Sequence, residues 1–221
     1  WGILGLIGWG YLAAALTYIL CRNSLLLTAL AAALFLGLNI FASLGLSTFL
    51  DPARPLLGVI IDGNVPFIVI SGTFVGLMLK NSAGTGNKTL IRNLVISGVL
   101  SLAAGFLLRE WFILSKIKAT PSWGLVCTGI SILVFTIIYV ISDVFGKTGW
   151  AEFFRPAGEN SLTTYLVPNI LYHLIWMGGL PVFFYKQSQI LPIVIGGSII
   201  WAILMVWLSA FLKRLGISLK L

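Results

Sequence analysis

The chain has 221 residues, of which 59% are hydrophobic and 9% charged, and its mean hydropathy is +1.05. A soluble domain carries about a quarter charged residues, so this composition excludes one and predicts an all-α integral membrane protein, a polytopic helix bundle in a lipid bilayer. The formal charge of +8 does not point to nucleic acid, because the basic residues form short clusters between long apolar runs rather than one basic face.

A membrane span needs about 20 apolar residues. In chain order the predicted spans are residues 1–20, 24–44, 65–79, 89–108, 122–142, 157–176 and 190–212, about seven transmembrane helices in a single domain over 1–221. The third is short, and the apolar "PLLGVII" before Asp62 either extends it or forms an interfacial or re-entrant turn. Gly2, Gly5 and Gly8 in the first span, Gly72 and Gly76 in the third, and Gly196 and Gly197 in the last are read as helix-packing positions. The chain opens at Trp1 with neither an initiator Met nor a basic n-region, so residues are expected to precede it.

Seven spans put the two termini on opposite sides. One side then holds Arg22, Lys80, Lys88, Arg92, Lys147, Arg155, Lys213, Arg214 and Lys220, and the other holds Arg54, Arg109, Lys116, Lys118 and Lys186. Cytoplasmic loops carry the excess of Lys and Arg, which predicts a cytoplasmic C-terminus. Cys21 and Cys127 fall at opposite sides and are read as unbridged small hydrophobes. One histidine and two separated cysteines offer no metal site, and no Ser-His-Asp set is visible.

The sixth span is the polar one. Helical residues four apart lie nearly above one another, so Ser161, Tyr165, Asn169 and His173 make one stripe, expected to face neighbouring helices or a wet cavity. Pro168 removes a backbone N–H in the same span and is expected to kink it. The residues by themselves are read as interhelical bonding, with Glu159 and Asn160 capping a helix start. His173 is either a proton relay or a satisfied interhelical histidine.

The segment "PAGENSLTTYL" resembles a motif near the end of the heparan-alpha-glucosaminide N-acetyltransferase family and its bacterial relatives: Gly, any residue, Asn, then Ser or Ala, followed by an apolar-Tyr-apolar step. Three further stretches are similar in the expected order: "GILGLIGWGYLAAALTYIL", "DGNVPFIVISGTFVGLML" and "SKIKATPSWGLVCTGIS". The first lacks the family's Gln-Arg pair. The resemblance spans this chain but only the later part of the family's domain. The family's Asp-Ala-x-Arg-Gly start and catalytic His would lie upstream, and His173 does not align with that residue.

The resemblance implies acetyl transfer from cytoplasmic acetyl-CoA to an extracytoplasmic amino sugar or glycan, in the cytoplasmic membrane of a bacterium. The stripe would then line the route, with Asp62, Asn64, Asn160, Tyr165, Asn169 and His173 as acceptor-side candidates. For Asp62 the rival role is a helix cap. In "LKNSAGTGNKTLIRN", Lys80, Lys88 and Arg92, with Gly84 and Gly86, are candidates for the CoA phosphates. A basic cytoplasmic loop is also what topology alone produces, and the Walker spacing is absent. Trp123 and Trp176 are assigned to the aromatic belt. The rival functions are a permease or flippase-like binding protein and an incomplete, inactive portion of the enzyme. The oligomeric state is open, a homo-oligomer included.

Overall fold

The computed structural model describes residues 2–82, 86–183, 186 and 188–216, and every regular element among them is helical. The chain divides into two compact units, Trp1–Phe145 and Gly146–Leu221. The first unit contains α1 (Ile3–Cys21), α2 (Leu25–Ser43), a 3-10 turn (Thr48–Ala53), α3 (Arg54–Asp62), α4 (Asn64–Asn81), α5 (Asn87–Leu108) and α6 (Pro121–Tyr139), which runs on into a π turn (Val140–Val144). The second contains a 3-10 turn (Gly149–Phe153), α7 (Arg155–Glu159), α8 (Ser161–Met177), a 3-10 turn (Pro181–Phe183) and α9 (Leu191–Arg214).

Six described helical runs are long and apolar enough to cross a membrane: Ile3–Cys21, Leu25–Ser43, Thr48–Asn81, Asn87–Leu108, Pro121–Val144 and Leu191–Arg214. The protein is a multi-pass, all-α membrane protein. The sixth expected span is divided instead. Asn160 has φ −126° and ψ 44°, outside the helical region, and separates the single turn of α7 from α8. At 17 residues α8 is about 25 Å long, short of the roughly 30 Å hydrocarbon core.

Small residues decide which faces of the first unit meet. Gly10, Ala13, Ala14 and Thr17 form the buried stripe of α1, and a β-carbon on Gly10 would lie 2.9 Å from both Val65 and Val69 of α4. The α5/α6 contact is closer still. A β-carbon on Gly105 would be 2.8 Å from the Val126 nitrogen, and one on Gly129 would be 2.7 Å from the Leu102 nitrogen. Backbones this near exclude any side chain and bring dispersion contacts along the whole seam. Ser101 adds an interhelical hydrogen bond, its Oγ donating to the Leu125 carbonyl at 2.9 Å.

Five of the seven glycines expected to pack helices are not among these. A β-carbon placed on Gly2, Gly8, Gly72, Gly76 or Gly196 would meet nothing within 4 Å. Spacing alone marks a smooth helix face; whether a partner lies against it depends on tertiary placement.

The stretch "PLLGVII" is helical and belongs to α3, whose Val59 and Ile61 are buried. The α3–α4 corner is made by Gly63, at φ 69°, and a β-carbon there would overlap the Phe35 carbonyl of α2 and lie 2.9 Å from the Asn39 nitrogen. Both the positive φ and the close approach require glycine.

Candidate functional site

At the α3–α4 corner, Gly63 sets Asp62 and Asn64 on different surfaces. Asn64 is buried, and its Nδ2 donates to Asn39 Oδ1 and to the Thr120 carbonyl, each at 3.2 Å. Asn39, in α2, is 2% exposed; its own Nδ2 donates to the Asp62 carbonyl at 2.8 Å and to the Ala119 carbonyl at 3.0 Å. Two amides thus join α2, the α3–α4 corner and the start of α6. Gly124 leaves the room required, since a β-carbon there would come within 2.7 Å of Asn64 Nδ2.

The loop before α6 is held by hydroxyls. Thr120 Oγ1 donates to the Ile113 carbonyl at 2.7 Å, and Ser122 Oγ donates to the Phe112 carbonyl at 2.9 Å. Ala119 has φ 47°, a left-handed conformation that costs a residue with a β-carbon about 1–2 kcal/mol. Its carbonyl bond to Asn39 helps hold that geometry.

Asp62 faces outward, with its side chain 49% exposed. Arg54 Nη1 donates to Asp62 Oδ1 at 2.6 Å, its Nε to Asp51 Oδ1 at 2.7 Å and its Nη2 to Ser47 Oγ at 2.6 Å. One guanidinium therefore orients two carboxylates beside the α3–α4 corner. The pairs are solvated enough that each adds little to stability, about 0–1 kcal/mol. Their effect is to fix direction.

At the opposite end of this unit, Lys80 Nζ donates to Tyr18 Oη at 3.1 Å and to Asn23 Oδ1 at 3.0 Å. It clips the tight α1–α2 turn, where Arg22 and Asn23 have φ 47° and 65°. Lys88 and Arg92 are exposed on the first turns of α5. Gly84 lies outside the described residues.

Between α4 and α6 an apolar cavity of about 400 Å³ is lined by residues including Gly72, Gly76, Thr128 and Phe135. Thr128 Oγ1 is buried there with no hydrogen-bond partner among the described residues.

In the second unit, Asn160 and Thr163 are buried, and Thr163 Oγ1 donates to Asn160 Oδ1 at 2.8 Å. Thr164 Oγ1 lies 2.7 Å from Ser209 Oγ of α9, a direct bond between the two helices. The stripe expected to face neighbouring helices lies elsewhere on α8: Ser161, Tyr165, Asn169 and His173 are all exposed. Asn169 Nδ2 turns back to the Tyr165 carbonyl at 3.0 Å, and the His173 ring meets the Tyr172 ring edge-on. The bond from Thr164 to Ser209 of α9 turns the face with Thr163 and Thr164, rather than the stripe, inward.

Glu159 bonds Lys213 of α9 and accepts from Arg155 Nε at 2.9 Å. Lys213 first, and then Arg155, hold its carboxyl below the ordinary glutamate range. Among the described residues no cluster of His, Cys, Asp and Glu could hold a metal ion.

Arg54 and Asp51 were expected near the span ends on the Asp62 side, whereas Asn39, Thr120 and Ser122 were not singled out as partners of the expected site by sequence reasoning. Asn39 did carry a signal, being the single carboxamide in an otherwise largely apolar 19-residue helix. Comparison with protein-family models, with curated proteins and with solved structures gives no match.

Proposed function

We propose that this chain is the later part of a membrane acyltransferase of a bacterial cytoplasmic membrane, passing an acetyl group from acetyl-CoA to an extracytoplasmic amino sugar or glycan. The four segments resembling the acetyltransferase family, in order, motivate the reading. The observation that carries it is the Asp62 carboxylate: half exposed, aimed by Arg54, and seated on the buried Asn39–Asn64 pair. A carboxylate so placed accepts hydrogen bonds from an amine or hydroxyl of an acceptor without paying to be ordered at each turnover.

Lys88 and Arg92, exposed at the other end of the same unit, supply charge for CoA phosphates. Lys80 has a prior structural task at the α1–α2 turn and contributes only its remaining donor capacity. Tyr165, Asn169 and His173 present a line of exposed polar groups along α8, which fits a polar acceptor better than bulk lipid.

The test is acetyl transfer by the protein expressed from its complete reading frame and reconstituted in vesicles. Asp62→Asn is expected to raise the acceptor KM or depress turnover while leaving CoA affinity nearly intact. The expected rival role as a helix cap is not what the structure shows, since Gly63 is the N-cap of α4 and the Asp62 carboxylate meets Arg54; wild-type kinetics in a normally folded Asp62→Asn protein would leave Asp62 as a partner of Arg54 alone. Movement of an unmodified solute, with no acetyl transfer from CoA, would replace the proposal with a permease.

A further inference from the structure

Two neighbouring cavities in the second unit complement one another. The first, about 390 Å³, is lined by aromatic rings and a cation: Tyr172, Trp176, Phe183 and Lys186 are among its walls. The second, also about 390 Å³, is an apolar groove along α9 with Gly196, Gly197, Ile200, Trp201 and Leu204 on its walls. They adjoin through one ring pair, Phe183 of the first cavity meeting Trp201 of the second edge-on with centroids 4.9 Å apart.

Lys186 is the informative residue. Its Nζ lies 4.4 Å from the centroid of Tyr172 and 4.8 Å from that of Phe183, which fixes the ammonium at the aromatic wall. No described carboxylate is within ion-pair distance of it. Trp201 is ten residues into α9, about 15 Å along the axis, and among α9 residues only Ser209 is buried. The ammonium therefore stands beside a helix that presents its length to lipid. A cation so close to hydrocarbon is costly without a counter-charge, and the groove beside it accepts hydrocarbon but no polar solute.

We propose that this pair of cavities binds a single lipid molecule with an anionic, phosphate-containing headgroup. The phosphate pairs with Lys186 beside the Tyr172 and Trp176 rings, and one acyl chain lies in the groove floored by Gly196 and Gly197. The match is in both charge and lining: one cation beside the aromatic rings, and an apolar groove adjoining it through Phe183 and Trp201. The site uses residues outside the Asp62 corner and stands independently of the acyltransferase reading.

The experiment is native mass spectrometry of the full protein from detergent containing either phosphatidylglycerol or phosphatidylcholine. Wild type is expected to retain phosphatidylglycerol with about a fivefold preference, the ratio expected of one lysine near a membrane surface. Lys186→Gln should abolish the preference and Lys186→Arg should keep it. Gly196→Leu, whose side chain enters open space rather than protein, should weaken retention of both lipids. Equal retention of the two lipids by wild type, or a preference unchanged in Lys186→Gln, would overturn the proposal. So would displacement of the lipid by inorganic phosphate alone, which marks a free-anion site, or a dimer mass in place of the lipid adduct, which marks the groove as an interface between copies.

Discussion

Asn39 and Asn64 illustrate how one side chain can be decisive in a bundle whose surface is mostly hydrocarbon. Each amide is buried, and together they bridge the Asp62, Ala119 and Thr120 carbonyls. In lipid those carbonyls have no water to fall back on, so removing an amide strands its partners. Asn64→Ala leaves Asn39 Oδ1 without its donor, while the Thr120 carbonyl keeps the Gly124 N–H at 3.0 Å, so the expected loss is that of one stranded group, about 1–3 kcal/mol. Thr128→Val should behave oppositely, because its hydroxyl is buried without a partner among the described residues and its removal takes away a cost of about 1 kcal/mol. Thermal unfolding of the purified protein in detergent checks both. An Asn64→Ala protein that unfolds at the wild-type temperature would show that the amide pair carries no stability. At this scale the sequence was legible in kind but not in role. Asn64 and Asp62 are adjacent to Gly63, and nothing in their order tells that the corner turns one inward and the other outward.

Among the elements, helices of the first unit were readable from apolar length alone, because in lipid a run of that length has little alternative to a helix. Their partners were not readable, and the glycines show why. Gly72 and Gly76 have the spacing of a helix-pairing motif yet border an open cavity, whereas Gly105 and Gly129, without that spacing, sit where two backbones nearly touch. Gly105→Ala and Gly129→Ala would each place a β-carbon within 2.8 Å of a backbone nitrogen, and separating α5 from α6 to relieve it should cost about 1–3 kcal/mol. Gly72→Ala and Gly76→Ala should be tolerated or slightly stabilising, since alanine has the higher helix propensity by about 1 kcal/mol. Comparing the four proteins by thermal unfolding separates the two groups; equal losses in all four would contradict the seam described for α5 and α6. The same limit applies to α8. Helical periodicity correctly grouped Ser161, Tyr165, Asn169 and His173 on one face, but the choice of buried face follows from Thr164 meeting Ser209 across to α9, a contact 45 residues apart in sequence.

Across the molecule, orientation in the membrane rests on charges that the two units share unequally. In the first unit, Arg22, Lys80, Lys88 and Arg92 belong to one end, and Arg54, Arg109, Lys116 and Lys118 to the other, four against four. The hydrogen bonds support this grouping: Lys80 ties to Tyr18 and Asn23, and Tyr139 donates to Asn87, while the Asn39 and Asn64 amides gather the opposite termini. Counted with α8 as a seventh crossing, the imbalance of nine against five comes from residues after Phe145, where Lys147, Arg155, Lys213, Arg214 and Lys220 oppose Lys186 alone. Orientation is set by Lys and Arg near the span ends, with Asp and Glu contributing little. The expectation is therefore that α4 ends, and α5 begins, in the cytoplasm, driven by charge that lies later in the chain. Lys88→Cys and Lys116→Cys, both at exposed positions, report on it in a background where Cys21 and Cys127 are replaced by serine. An impermeant thiol reagent on intact cells should label position 116 and spare position 88 until the membrane is opened. The reverse pattern would invert the topology and move the Asp62 corner to the cytoplasmic side, where an extracytoplasmic acceptor could not reach it. Replacing Lys213 and Arg214 together with glutamine lowers the count to seven against five, and if the late charges are the determinant, labelling at position 88 of intact cells should begin to appear in that protein.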